Sequence, residues 1–240
     1  TGSTITTNGT STNFHSIKAA TASQDGTALA TGIWDAQTTT DHSSIHVQVW
    51  NGTSWGSTSA ISNLLGGTPG GTIQGIAFSP AMDAIAICST AKVTYVPWTK
   101  AGGFGVAGAS VGTSTSYQGI TFNRAGNVVA ACSDVVPYVK AWNWVDATTG
   151  FGTAFSAPAS YNTGTAADIT FSPKDDAVIA AYAGSINAWA WNNSTGFGTL
   201  FSNPSVMPTA NTTCVAFSPT GDSVMFGGST ATVACYKWNS

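Results

Sequence analysis

One unit of about forty-seven residues repeats along this 240-residue chain, and any fold it adopts must honour that period. Four segments align directly: IAFSPAMDAIAICS from Ile76, ITFNRAGNVVAACS from Ile120, ITFSPKDDAVIAAY from Ile169 and VAFSPTGDSVMFGG from Val215. A degraded fifth copy, ATASQDGTALATG, starts at Ala20. Each copy runs on to a tryptophan, at Trp50, Trp98, Trp144, Trp191 and Trp238, with spacings of 48, 46, 47 and 47 residues. A short polar turn follows the first four. An aromatic–glycine pair comes next: Trp55-Gly56, Phe104-Gly105, Phe151-Gly152 and Phe197-Gly198.

Each unit reads as four short strands. Strand A is the IAF-type segment. A turn follows, carrying Pro80, Pro173 or Pro219 and then Asp or Gly, residues suited to tight reversals. Strand B is an almost continuous apolar run such as Ala84–Cys88, which suits a strand covered on both faces. Strand C alternates toward its tryptophan, so that Trp189 and Trp191 share a face, as do Trp142 and Trp144. Strand D starts at the aromatic–glycine pair. Four strands per repeat at this period predict an all-β, five-bladed β-propeller with antiparallel blades.

The expected boundaries are residues 17–65 for blade one, 73–112 for blade two, 117–160 for blade three, 166–206 for blade four and 212–240 for the fifth. The last copy stops after strand C. Residues 1–10, beginning Thr1-Gly2-Ser3-Thr4-Ile5, are expected to supply its strand D and close the ring.

The AFSP…D…W units resemble WD40-type repeats over essentially the whole chain, although no WD dipeptide ends strand C. The fuller pattern runs from Phe197-Gly198-Thr199 through Ser202-Asn203-Pro204 to Val215–Pro219. It looks more like the WD40-like repeat proteins encoded by tailed bacteriophages. That resemblance implies a virion or tail-associated protein, found on the particle or outside a cell, with virion proteins or a host-surface receptor or glycan as partners.

Composition narrows the function classes. Charged residues are 7% of the chain, all ten acidic residues are Asp, and the net charge is −3. Seven Lys and Arg form no footprint for nucleic acid. No run of eighteen apolar residues offers a spanning helix, so no membrane insertion is expected. The surface polarity comes from Thr, Ser, Asn and Gln, which suits a particle surface.

The first unit carries an enlarged B–C loop, WDAQTTTDHSS over 34–44. Ser23 and Trp50 are 27 positions apart, against 19 to 21 for the equivalent pairs in the other copies. Loops on a rigid scaffold are common binding sites, which makes Trp34, Asp35, Asp41 and His42 candidate ligand contacts. Asp35, Asp41, His42 and His46 could be read as metal ligands. A strand-and-loop context does not put His42 and His46 on one face, and a solvated polar loop is the preferred reading, with no metal and no cofactor. Trp55, Phe104, Phe151 and Phe197 recur at each hairpin and suggest a lectin with sites between blades. The plainer reading packs each ring over its own strand C tryptophan. A glycoside hydrolase would need two carboxylates across a cleft. Asp25, Asp83, Asp175, Asp176 and Asp222 belong to A–B turns, leaving Asp168 alone before a strand A and facing the channel mouth. Four buried free thiols are expected, since Cys214 and Cys235 are two strands apart. The expected role is a non-enzymatic binding or structural module, with a lectin and then a hydrolase as alternatives.

Overall fold

A computed structural model describes residues 15–35, 42–62, 71–112, 116–207, 211–229 and 233–239. It is a five-bladed β-propeller, and no helix occurs among the described residues. The first blade comprises β1 (His15–Ala22), β2 (Ala28–Asp35), β3 (His42–Val49) and β4 (Ser59–Ser62). The second holds β5 (Ile73–Phe78), β6 (Ala84–Ser89), β7 (Val93–Thr99) and β8 (Gly103–Phe104). In the third are β9 (Tyr117–Phe122), β10 (Val128–Ser133), β11 (Val139–Asp146) and β12 (Gly150–Ala154). The fourth has β13 (Ala166–Phe171), β14 (Ala177–Tyr182), β15 (Ser185–Asn192) and β16 (Gly196–Leu200). Blade five contributes β17 (Thr212–Phe217), β18 (Ser223–Gly228) and β19 (Val233–Lys237). Every sheet is antiparallel in A–B–C–D order, and the fifth has three described strands. Its expected closing strand, residues 1–10, lies outside the described residues.

Local chemistry makes the A–B turns alike. Ser79, Ser172 and Ser218 each donate to an aspartate four residues on, Asp83, Asp176 and Asp222, at 2.6, 2.5 and 2.7 Å. Each serine oxygen also accepts from the amide that opens strand B, at Ala84, Ala177 and Ser223. The turn therefore closes on itself and aims strand B back along strand A.

Packing between blades is conserved in volume rather than in residue. Strands A and B face each other around the axis as Ala19–Gly32, Gly75–Cys88, Gly119–Cys132, Asp168–Ala181 and Cys214–Gly227. One member is always Gly or Ala. A Cβ on Gly75 would stand 2.9 Å from Cys88 Sγ and 3.3 Å from the Gly119 Cα, so these glycines let neighbouring inner strands approach.

A second exchange lies further out. Phe155, just past β12, packs its ring 5.1 Å from Trp191 of the next blade, and Phe201 does the same to Trp238 at 5.3 Å. In blade two the corresponding residue is Gly108, and Tyr95 takes over. Its ring reaches Trp144 at 5.0 Å and occupies the space a Gly108 side chain would need. Blades three and four carry Ala141 and Ala188 where blade two has Tyr95. An aromatic wedge is thus supplied from either of two strands.

The thiols divide, which corrects the expectation of four buried ones. Cys88 and Cys132 are fully buried, whereas Cys214 and Cys235 are exposed. Both exposed thiols belong to blade five, whose far face is open to solvent among the described residues: Met225 is 50% and Val233 71% exposed. All four cysteines are free.

Candidate functional site

The inner strands of the first four blades and the A–B turns of all five surround a funnel on the axis, with a volume of about 530 Å³. Its wall repeats one position of strand A. Thr21, Thr121 and Thr170 stand there, each hydroxyl donating to the carbonyl of the following residue at 3.5, 3.1 and 3.4 Å. Phe78, Phe122 and Phe171 add ring edges. Gln24, Pro80, Arg124, Pro173 and Pro219 occupy the turns around it. Arg124 is the one charged residue in this lining. Its turn is anchored by Asp175, which accepts from the Arg124 and Ala125 amides at 2.7 and 2.8 Å. Such a lining offers hydroxyls, carbonyls and apolar edges, and suits an uncharged polar ligand or a protruding loop.

Asp168 does not open onto this funnel as the sequence had suggested. It is largely buried between inner strands, and its Oδ1 and Oδ2 accept from the amides of Ile169 and Val215, both at 2.9 Å. Burial pushes its carboxyl above the usual carboxylate range, although those two amide bonds act in the opposite sense. Oδ2 joins blade four to blade five, while Oδ1 is held by its own strand. The remaining turn aspartates are similarly occupied: Asp25 lies 2.6 Å from Lys100 and also accepts from Ser23 and Thr27, which together hold its carboxyl well below the ordinary range. Among the described residues no three His, Cys, Asp or Glu side chains gather as a metal site.

The enlarged loop of the first blade is shorter than the sequence suggested, because strands take up part of it. Trp34 and Asp35 end β2 and His42 begins β3, with Asp35 opposite His42. Asp41 lies outside the described residues. Trp34, Asp35 and His42 stand at the end of blade one opposite its A–B turn and do not line the funnel.

The hairpin aromatics are half-buried and distributed, one per blade. Trp55 packs edge-on to Trp50 at 5.5 Å, Phe151 to Trp144 at 5.5 Å and Phe197 to Trp191 at 5.0 Å. Phe104 pairs with Trp98 across the β7–β8 hairpin. Asn51 and Asn192 beside them accept from turn amides, at Thr53 and Ser54 and at Ser194 and Thr195. The aromatic set therefore does not converge on one site. The funnel residues do, and sequence reading missed them. The available signal was threonine recurring at one repeat position, at 21, 121 and 170.

No protein-family model matches the sequence, and no curated protein matches it. Among solved structures the chain is similar to one from Bacteroides fragilis described as a candidate 6-phosphogluconolactonase. The TM-score is 0.64 and the identity 10%, over 92% of this chain and 80% of that one. At that identity the likeness is one of propeller fold.

Proposed function

We propose that the protein is a non-enzymatic binding module whose axial funnel receives an uncharged, hydroxyl-rich or backbone-rich group of a partner. The observation that carries this reading is the funnel's lining, contributed by all five blades and built from threonine hydroxyls, phenylalanine edges and a single arginine. Affinity for such a group comes from hydrogen bonds and ring contacts rather than from ion pairs. The use made of the carboxylates favours binding over hydrolysis: Asp168 joins two blades, and Asp25, Asp83, Asp176 and Asp222 hold turns. The resemblance of the repeats to tailed-phage proteins supplies the setting, a virion surface or tail, with a capsid or tail protein or a host receptor as the partner. A neutral glycan on that receptor is the lectin form of the same reading, with the funnel in place of the hairpin aromatics.

The test is retention on a glycan array and copurification with particles at fixed stoichiometry. Substitution Thr121→Val together with Arg124→Ala should lower retention at least about tenfold while leaving the fold intact. Release of reducing sugar from a retained glycan, abolished by Asp168→Ala, would overturn the non-enzymatic reading. Retention unaffected by the funnel pair but lost with Trp55→Ala or Phe197→Ala would move the site to the hairpins.

A further inference from the structure

Three C–D hairpins turn on the same side-chain device. In blade one the Oδ1 of Asn51 accepts from the amides of Thr53 and Ser54 at 2.9 and 2.8 Å. Asp146 of blade three accepts from Thr148 and Thr149 at 2.8 and 2.6 Å. Asn192 of blade four accepts from Ser194 and Thr195 at 2.9 and 3.2 Å. Each time one oxygen collects the amides two and three residues on, and the side chain stands exposed at the hairpin tip. Blade three thus shows that this turn takes a carboxylate as well as an amide. The Asp146 carboxyl is held below its ordinary range, first by the Thr149 amide and then by that of Thr148.

The next residue sets the three apart. Asp146 precedes Ala147 and Asn192 precedes Asn193, whereas Asn51 precedes Gly52. An asparagine Cγ and the main-chain nitrogen that follows it can close a five-membered ring, and proximity favours such intramolecular attack. A side chain on the following residue crowds that ring, and glycine removes the crowding. Gly52 is exposed, has φ 102°, and its N–H has no hydrogen-bond partner among the described residues. Nothing therefore holds the proton that this nitrogen must lose. The two amides on Asn51 Oδ1 draw charge from Cγ and favour the oxyanion that attack creates. Nδ2, the leaving nitrogen, lies 3.2 Å from the Ser54 hydroxyl, a proton donor within reach.

We propose that Asn51 is a modification site, where the folded hairpin of blade one deamidates its own asparagine to aspartate. The Gly52 nitrogen loses its proton to solvent and bonds to Cγ. The Cγ–Nδ2 bond then breaks, and Nδ2 leaves as ammonia with a proton from Ser54, which solvent replaces. A cyclic imide results. Water opens it, adding hydroxyl to a carbonyl carbon and a proton to the ring nitrogen. Opening at Cγ gives aspartate with the peptide bond in place. Opening at the main-chain carbonyl gives isoaspartate. No oxidant or reductant takes part.

The turn of blade three shows how the product is received. An aspartate keeps the main chain at its native length, and its full charge strengthens the two amide bonds that the turn already makes. Isoaspartate inserts a carbon into the main chain within the turn. The native hairpin therefore steers ring opening toward aspartate. Each event adds one negative charge to a chain whose net charge is −3. That charge appears at the end of the propeller that holds the funnel mouth. C–D hairpins and A–B turns share this end: Lys100 of one reaches Asp25 of the other at 2.6 Å. The modification does not depend on the binding role proposed above.

The test follows single sites in the intact folded chain, held in mildly acidic and in mildly alkaline buffer. Peptide mapping by mass spectrometry reads each conversion as a gain of about 1 Da, and chromatography separates aspartate from isoaspartate. Asn192 is the internal control, being in the same kind of turn without the glycine. Mapping also keeps Asn51 apart from Asn8, which precedes Gly9 and lies outside the described residues. Asn51 should convert at least about tenfold faster than Asn192, faster in the alkaline buffer, with aspartate the larger product. Gly52→Ala should slow it at least about tenfold. That variant places a Cβ at φ 102°, so the reciprocal change guards against a distorted turn. Asn193→Gly should make Asn192 reactive in blade four. Asn51→Asp, the product itself, should melt no lower than wild type. Conversion of Asn51 in native protein no faster than that of Asn192 would overturn the proposal. So would conversion confined to urea-unfolded chains, which would assign the reactivity to the dipeptide and not to the folded hairpin.

Discussion

The Asp168 carboxylate bridges two blades, with Oδ2 accepting from the Val215 amide at 2.9 Å while Oδ1 holds the amide of Ile169. The equivalent residues elsewhere are Ala19, Gly75, Gly119 and Cys214, so this one joint is made by a buried acid rather than by close backbone approach. Its position between Gly119 and β17 leaves little room: a Cβ on Gly119 would stand 2.9 Å from Asp168 Oδ1.

Burial raises the native Asp168 pKa above its ordinary 3.8, and the sign of the consequence follows. The unfolded chain releases this proton first as pH rises. The group's stabilising contribution is therefore complete below 3.8 and is lost as pH climbs through the raised native value. Asp168→Asn removes the titration and keeps the shape. Urea denaturation of both proteins between acid and neutral pH should show the wild type gaining on the variant as pH falls. A difference that stays flat would mean that the amide bonds offset burial at this carboxyl, and a wild type that loses to the variant as pH falls would mean that they dominate.

The Tyr95–Gly108 exchange predicts a reversible conflict. A Gly108 Cβ would stand 2.0 Å from Tyr95 Cζ, so Gly108→Ala should destabilise by about 1–3 kcal/mol. Tyr95→Ala alone empties the slot beside Trp144 and should cost about 3 kcal/mol. Combining Tyr95→Ala with Gly108→Phe rebuilds the arrangement of Ala188 and Phe201, and should recover most of that loss in chemical denaturation. Additive losses in the double variant would show that the two strands do not share one wedge position.

The Arg124–Asp175 joint between blades three and four should be convertible into the proline–glycine kind found where Pro173 of blade four lies over Gly221 of blade five, its Cδ 3.2 Å from where a Gly221 Cβ would stand. Asp175→Ala leaves the Arg124 and Ala125 amides to solvent and keeps a Cβ at φ 57°, a loss of about 1–2 kcal/mol. Arg124→Pro with Asp175→Gly reproduces the pair Pro173 and Gly221, and its melting temperature should return to within about 2–4 °C of wild type. Failure of the double variant to recover would mean that the turn of blade three needs the carboxylate for its own conformation.

Strand period, turn chemistry and the tryptophan spacing made the blades legible before any coordinates. Each is local: a serine that closes on an aspartate four residues later, an apolar run covered on both faces, a tryptophan at the end of strand C. The candidate site was less legible. Trp34, Asp35 and His42 stood out because they were irregular, while Thr21, Thr121 and Thr170 were hidden by being regular. Their convergence depends on strand A being the innermost strand of every blade, a property of the ring and not of any one repeat.

The count of blades, their strand order and the residues that turn them were written in the chain itself, because those features arise between neighbours a few positions apart. Which side chains answer each other across a joint was settled only by assembly. Tyr95 fills a gap beside Trp144, Asp168 reaches Val215, and Cys214 and Cys235 lie exposed although they occupy repeat positions that are covered in other blades. The physical reason is that packing responds to the summed volume of residues some fifty positions apart, and nothing within a single repeat records what the adjoining blade supplies.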